Sequence, residues 1–146
     1  MEKTFIVRGS WSSIKNSVLD YCFTHFSDED IWLVDTLQVF DPYYLSRLDS
    51  ARTRRMLHAI KVCRPFTFYQ LRDKLFSFIK LPLSERSTII ISSMDCFNDD
   101  VENEEEREVV ANMMMRLLKL LQNKSGCRLI IGTSGSLKSS LRNVVR

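Results

Sequence analysis

The chain has 146 residues, 45% of them hydrophobic, with a formal net charge of +3. That length and apolar content suit a single globular domain over residues 1–146, and exclude a chain too polar to bury a core. No apolar run approaches the roughly 20 residues of a membrane span, and the N-terminus lacks a basic-then-apolar signal pattern, so the expectation is a soluble cytoplasmic protein with no membrane partner. Cys22, Cys63, Cys96 and Cys127 are widely spaced with no C-x-x-C pair, which reads as structural thiols and no metal site.

In chain order, the first strand is predicted over Thr4–Val7. Gly9-Ser10-Trp11-Ser12-Ser13-Ile14-Lys15-Asn16 follows, with the frame of a phosphate-binding loop, G-x-x-x-x-G-K-[ST]. Gly9 and Lys15 stand at the working spacing. Ile14 replaces the second glycine and Asn16 the magnesium-binding hydroxyl, so close phosphate approach and Mg²⁺ ligation are both compromised. Gly9, Ser13, Ile14, Lys15 and Asn16 are thus a degenerate phosphate loop at the head of a helix predicted over Ser12–Phe26.

Further strands are predicted over Ile31–Asp35, Ala59–Cys63, Thr88–Ser92 and Arg128–Gly132. Helical spacing covers Tyr43–Leu57, Thr67–Lys80 and Asn103–Lys124, with a short terminal helix over Ser136–Val145. Pro42 suits the start of the second helix, Pro82 the end of the third, and Gly126 the turn after the fourth. Apolar strands alternating with helices predict a doubly wound α/β fold with a mainly parallel sheet of about five strands. Ligands of such sheets gather where the strands end.

Charge is segregated along the chain. From Arg47 to Arg64 six Lys/Arg stand against Asp49 alone, whereas from Asp95 to Glu108 eight acids stand against Arg107. Arg52, Arg54 and Arg55, read as near the end of the second helix, and Lys138, Arg142 and Arg146 in the tail are nucleic-acid candidates. The simpler reading of the first group is a set of cations favoured by a helix C-terminus. Asp95, Asp99, Asp100 and Glu102 lack the spacing and glycine of a calcium loop. Met113, Met114 and Met115 with the neighbouring leucines read as a core helix, with a partner face as the alternative. His25 and His58 have no metal-ligand pattern around them, and no nucleophile elbow occurs. Lys15 reads either as a solvated helix residue or as a phosphate contact, and Ser10, Ser12, Ser13 and Ser17 either as caps or as anion contacts. Trp11, Tyr43, Tyr44, Phe66, Phe68 and Tyr69 gather at strand ends, where Trp11 either fills the nucleotide space or anchors a neighbouring subunit.

Several of these segments together carry a resemblance. Ile31-Trp32-Leu33-Val34-Asp35-Thr36, Phe40-Asp41-Pro42-Tyr43-Tyr44-Leu45, the passage Leu57–Leu71 through Ala59-Ile60-Lys61-Val62-Cys63-Arg64-Pro65-Phe66, and Arg128-Leu129-Ile130-Ile131-Gly132-Thr133-Ser134 resemble the ATPase core of the RecA/RadA recombinase superfamily, including its archaeal RadA paralogs. The resemblance runs from about Phe5 to Ser134 and implies a minimal RecA-like P-loop NTPase core. In active members the fourth strand ends in a magnesium-holding aspartate; here Ile91 is followed by Ser92 and Ser93, a degenerate Walker B. Leu37-Gln38-Val39 stands where the family carries its catalytic glutamate. The expectation is therefore a pseudo-ATPase with no catalytic residue and no cofactor, which modulates DNA recombination or repair by binding a recombinase, a RecA-like paralog subunit or DNA. Two alternatives stay open: a nucleotide-binding regulator or weak ATPase that still holds ATP through Gly9, Ser13 and Lys15, and a scaffold that forms homo-oligomers without DNA contact.

Overall fold

A computed structural model describes residues 3–41, 43, 45, 47, 50–94 and 103–133. Five strands form one sheet: β1 (Thr4–Arg8), β2 (Asp30–Val34), β3 (Lys61–Cys63), β4 (Ser87–Ile91) and β5 (Arg128–Thr133). Between them run α1 (Trp11–His25), α2 (Ala51–Ala59), α3 (Phe68–Phe78) and α4 (Glu104–Ser125). The strand order is β1-β5-β4-β2-β3, and every pairing is parallel. The doubly wound α/β architecture expected from the sequence is the one observed.

Parallel sheets need both faces covered, and the composition of the strands follows. Every residue of β4 is buried. On one face, Ile14, Val18 and Cys22 of α1 and Met56 of α2 pack with Ile31, Leu33, Ile90 and Ile130. On the other, Phe68, Leu71, Leu75 and Phe78 of α3 and Met114, Leu118 and Leu121 of α4 pack with Ile89, Ile91, Leu129 and Ile131. The methionine cluster divides: Met114 and Met115 join the core while Met113 stays 43% exposed.

Local chemistry sets the helix ends. Ser10, Ser50 and Thr67 each accept a hydrogen bond from the N–H three residues on, and Asn103 accepts from Glu105. Glu104, Glu105 and Glu106 fill the first turn of α4, where the helix dipole favours acid. Gly126 ends that helix at φ 68°, a conformation that disfavours a Cβ.

The second helix differs from the expected Tyr43–Leu57. Tyr43 and Leu45 are helical as expected, but Ser50 is extended at φ −121° and ψ 150° and interrupts the run, so α2 begins at Ala51. The physical reason is the cap: the Ser50 hydroxyl takes the Thr53 N–H at 3.0 Å, which favours starting a helix over continuing one. Pro42, Tyr44, Cys96, the acidic residues Asp95, Asp99, Asp100 and Glu102, and the predicted helix Ser136–Val145 lie outside the described residues. Among the described residues, no helix is long and apolar enough to cross a membrane.

Candidate phosphate-loop site

The C-terminal ends of β1, β5, β4 and β2 bring three loops together. Gly9, at φ 150°, turns the chain out of β1, and its N–H reaches the Thr133 carbonyl at 3.3 Å. The turn is short, because α1 begins at Trp11. Ser10 caps that helix: its Oγ accepts from the Ser13 N–H at 3.2 Å and donates to the Ser13 hydroxyl at 3.0 Å. The Ile14 N–H closes the first helical bond onto the Ser10 carbonyl at 3.0 Å.

A phosphate loop works by leaving successive backbone N–H groups unbonded so that they can converge on an anion. Here helix has wound through that stretch. Ser13 and Ile14 spend their N–H groups on Ser10, and Lys15 and Asn16 sit on the second helical turn. Ile14 is the cause as well as the marker, because its side chain is fully buried and pins α1 down on the sheet. Its Cγ2 lies 3.0 Å from where a Cβ on Gly132 would stand. That same Cβ would lie 2.1 Å from the Ser92 carbonyl oxygen, so only glycine lets β5 pass between α1 and the end of β4.

Ser92 and Ser93 are buried just past β4 and are tied to the loop after β2. The Ser92 hydroxyl donates to Asp35 Oδ1 at 3.3 Å and accepts from the Leu37 N–H at 3.0 Å. The Thr36 hydroxyl donates to the Ser93 carbonyl at 2.7 Å and accepts from the Ser93 N–H at 2.8 Å. Asp35 is the hub. Its buried carboxylate accepts from the Val39 N–H at 2.8 Å and the Phe40 N–H at 2.9 Å, with Arg64 Nε at 3.7 Å. Gln38, at φ 56°, adopts a left-handed conformation inside this loop. The carboxylate that meets Ser92 thus organises a loop, with both oxygens already accepting.

The basic candidates lie elsewhere. Arg52 and Arg54 fall in the first turn of α2 and Arg55 at its middle, not near the end of a longer helix as the sequence suggested. The helix dipole therefore opposes Arg52 and Arg54 and is neutral toward Arg55, and the C-terminal dipole explanation fails. Arg52 donates to the Phe23 carbonyl and lies 4.9 Å over the Phe26 ring, so it fastens α2 to α1. Arg54 and Arg55 are exposed. Trp11 and Phe23 are twelve residues apart on α1, about 18 Å at 1.5 Å per residue, so the arginines and the loop form separate sites. Lys138, Arg142 and Arg146 lie outside the described residues. The aromatic grouping also divides: Phe68 is buried in the core, whereas Trp11, Tyr43 and Phe66 are exposed.

A polar cluster at the opposite end of the sheet has no motif in the sequence to announce it. Glu29 accepts from the Tyr21 hydroxyl at 2.6 Å, the Thr88 hydroxyl at 2.6 Å and Arg128 at 2.7 Å. Burial, then the bond to Glu29, pushes the Tyr21 phenol up. Among cysteines, burial pushes the Cys22 thiol up to about 12, and Cys63 and Cys127 upward as well. Among the described residues, no group of His, Cys, Asp or Glu is arranged to hold a metal ion.

No protein-family model matches this chain, and no curated protein matches it. Among solved structures, it is similar to the crystal structure of the RadB recombinase, with a TM-score of 0.71 at 16% identity over 93% of this chain. The chain spans 62% of the length of that recombinase. At this level of identity the likeness is one of fold: five parallel strands flanked by helices form a RecA-like core.

Proposed function

We propose that this chain is a catalytically silent RecA-like core that modulates DNA recombination or repair by binding a recombinase or DNA. The observation that carries the reading is the course of α1. Helix occupies the stretch that would wrap phosphates, and Ile14 is locked beneath it against Gly132. Ser92 at the Walker B position is bonded into the Asp35 loop, which adds a second obstacle to magnesium. The fold likeness to a recombinase supports the process, and the exposed Arg54, placed against the dipole of α2, and its exposed neighbour Arg55 support DNA contact.

A fitting test follows fluorescence anisotropy of labelled single-stranded DNA with a RecA-family recombinase, in the presence and absence of this chain. The reading expects the chain to change recombinase assembly or bind the DNA in a salt-dependent way, with no ATP turnover of its own. ATP hydrolysis by the pure chain that Lys15→Ala abolishes would overturn it.

A further inference from the structure

Helices α3 and α4 share one face of the sheet, and two contacts mark the seam between them. Near one end the Tyr69 hydroxyl donates to Glu106, and near the other Lys124 Nζ donates to the Ile79 carbonyl at 2.6 Å. Side chains seven residues apart share a helix face. Phe76 therefore continues the line of Tyr69 along α3, while Met113 and Leu120 continue the line of Glu106 along α4.

These seam positions are apolar yet open: Phe76 is 53% exposed, Met113 43% and Leu120 49%. Cations surround them. Lys80 lies 5.9 Å over the Phe76 ring, and α4 from Met113 to Ser125 carries Arg116, Lys119 and Lys124 with no acid. The helix dipole accounts for Lys124 in the last turn, but its reach ends before Arg116 and Lys119. Among the described residues, no carboxylate pairs with Lys80, Arg116, Lys119 or Lys124. The acids along the seam are already engaged, Glu106 by Tyr69 and Asp73 by Arg72 at 2.9 Å.

We propose that this seam docks an acidic amphipathic helix of a partner protein. Met113 and Leu120 stand about 10.5 Å apart at 1.5 Å per residue, which is the spacing of the i and i+7 anchors of a helix laid into a groove. Charge selects the partner: carboxylates flanking those anchors meet Lys80, Arg116 and Lys119, which steer the approach and fix the orientation. Single-stranded nucleic acid fits this face poorly. Methionine and leucine offer no ring on which a base can stack, and Lys80 covers the ring of Phe76. The phosphate loop and the arginines of α2 lie with α1 and α2 on the other face of the sheet, so the docking seam is independent of the nucleotide and DNA readings.

The experiment is selection of a displayed library of helical peptides on the full chain, followed by fluorescence anisotropy of the enriched peptides. They are expected to carry apolar residues at i, i+4 and i+7 flanked by Asp and Glu, and to bind more weakly as salt rises. Leu120→Ser removes an anchor, and Arg116→Glu with Lys119→Glu reverses the charge, both at exposed positions. Each variant is expected to bind the peptides at least about tenfold more weakly, with unchanged circular dichroism. Selection that enriches no peptide, or peptides without acids, overturns the proposal, as does equal binding to wild type and both variants. Single-stranded DNA or phosphatidylserine vesicles that bind this face, lose it in the same variants and displace no peptide would also overturn it and give the face to that ligand.

Discussion

The Ser92 hydroxyl donates to the buried Asp35 carboxylate at 3.3 Å, joining the end of β4 to the loop after β2. A carboxylate in place of Ser92 would face Asp35 directly. Ser92→Asp is therefore expected to destabilise the fold by about 3 kcal/mol or more, because it buries two like charges in contact. It is also expected to gain no Mg²⁺-dependent ATP binding. Urea denaturation and titration calorimetry of the variant check the two halves.

Asp35 itself holds the loop closed. Asp35→Ala leaves the Val39 and Phe40 N–H groups without their acceptor and removes the ion pair to Arg64, which still donates to the Phe40 carbonyl, at an expected cost of about 3 kcal/mol. Asp35→Asn keeps one acceptor oxygen and is expected to cost less. Equal midpoints for the two variants in urea would show that the hub role is wrong.

At Gly132 the space is already taken. A Cβ would sit 2.1 Å from the Ser92 carbonyl oxygen, a clash with backbone that no rotamer change relieves. Gly132→Ala is expected to cost about 1–3 kcal/mol or more by overpacking, read as a fall in melting temperature. An unshifted melt would mean that α1 and β4 are less tightly joined than described.

Alkaline pH should weaken the fold through Cys22. Its thiol is raised in the folded chain from 9.0 to about 12, chiefly by burial. An acid whose folded pKa is raised binds its proton more tightly when folded, so this contribution is complete below pH 9.0 and is lost as pH climbs toward about 12. Cys22→Ala lacks that titration. The stability gap between wild type and variant is expected to narrow over this window in urea titrations; a constant gap would contradict the buried thiol.

Much of the framework could be read directly from the residues. Continuous apolar runs such as Thr88-Ile89-Ile90-Ile91 admit few roles besides a buried parallel strand, and all five strands occur where those runs stand. The start of α2 is not legible in this way, because helical spacing continues across Ser50 and only its bonded hydroxyl reveals a cap. At the candidate site, the sequence shows which motif residues are replaced. It does not show that Ile14 packs on Gly132 or that Asp35 turns inward onto Val39 and Phe40, since those contacts join residues far apart in the chain or depend on loop conformation. Glu29 is hidden for a related reason: its partners Tyr21, Thr88 and Arg128 come from three separate elements.

Exposed arginines on α2 offer a test of DNA binding that spares the fold. Arg54→Ala with Arg55→Ala removes one cation from the dipole-disfavoured first turn and one from the middle of the helix, so stability is expected to hold or rise by up to about 1 kcal/mol. If these side chains meet phosphates, the log–log salt slope of single-stranded DNA binding is expected to fall by about 0.7 for each phosphate that an arginine no longer neutralises. An unchanged slope would place the DNA-binding surface elsewhere.

The proposal that α1 leaves no working phosphate loop is tested most directly by calorimetric titration of the pure chain with ATP and Mg²⁺, beside Lys15→Ala. The predicted result is no binding heat from either protein. Saturable binding by the wild type that disappears in Lys15→Ala would contradict the account and show that the phosphate loop still works.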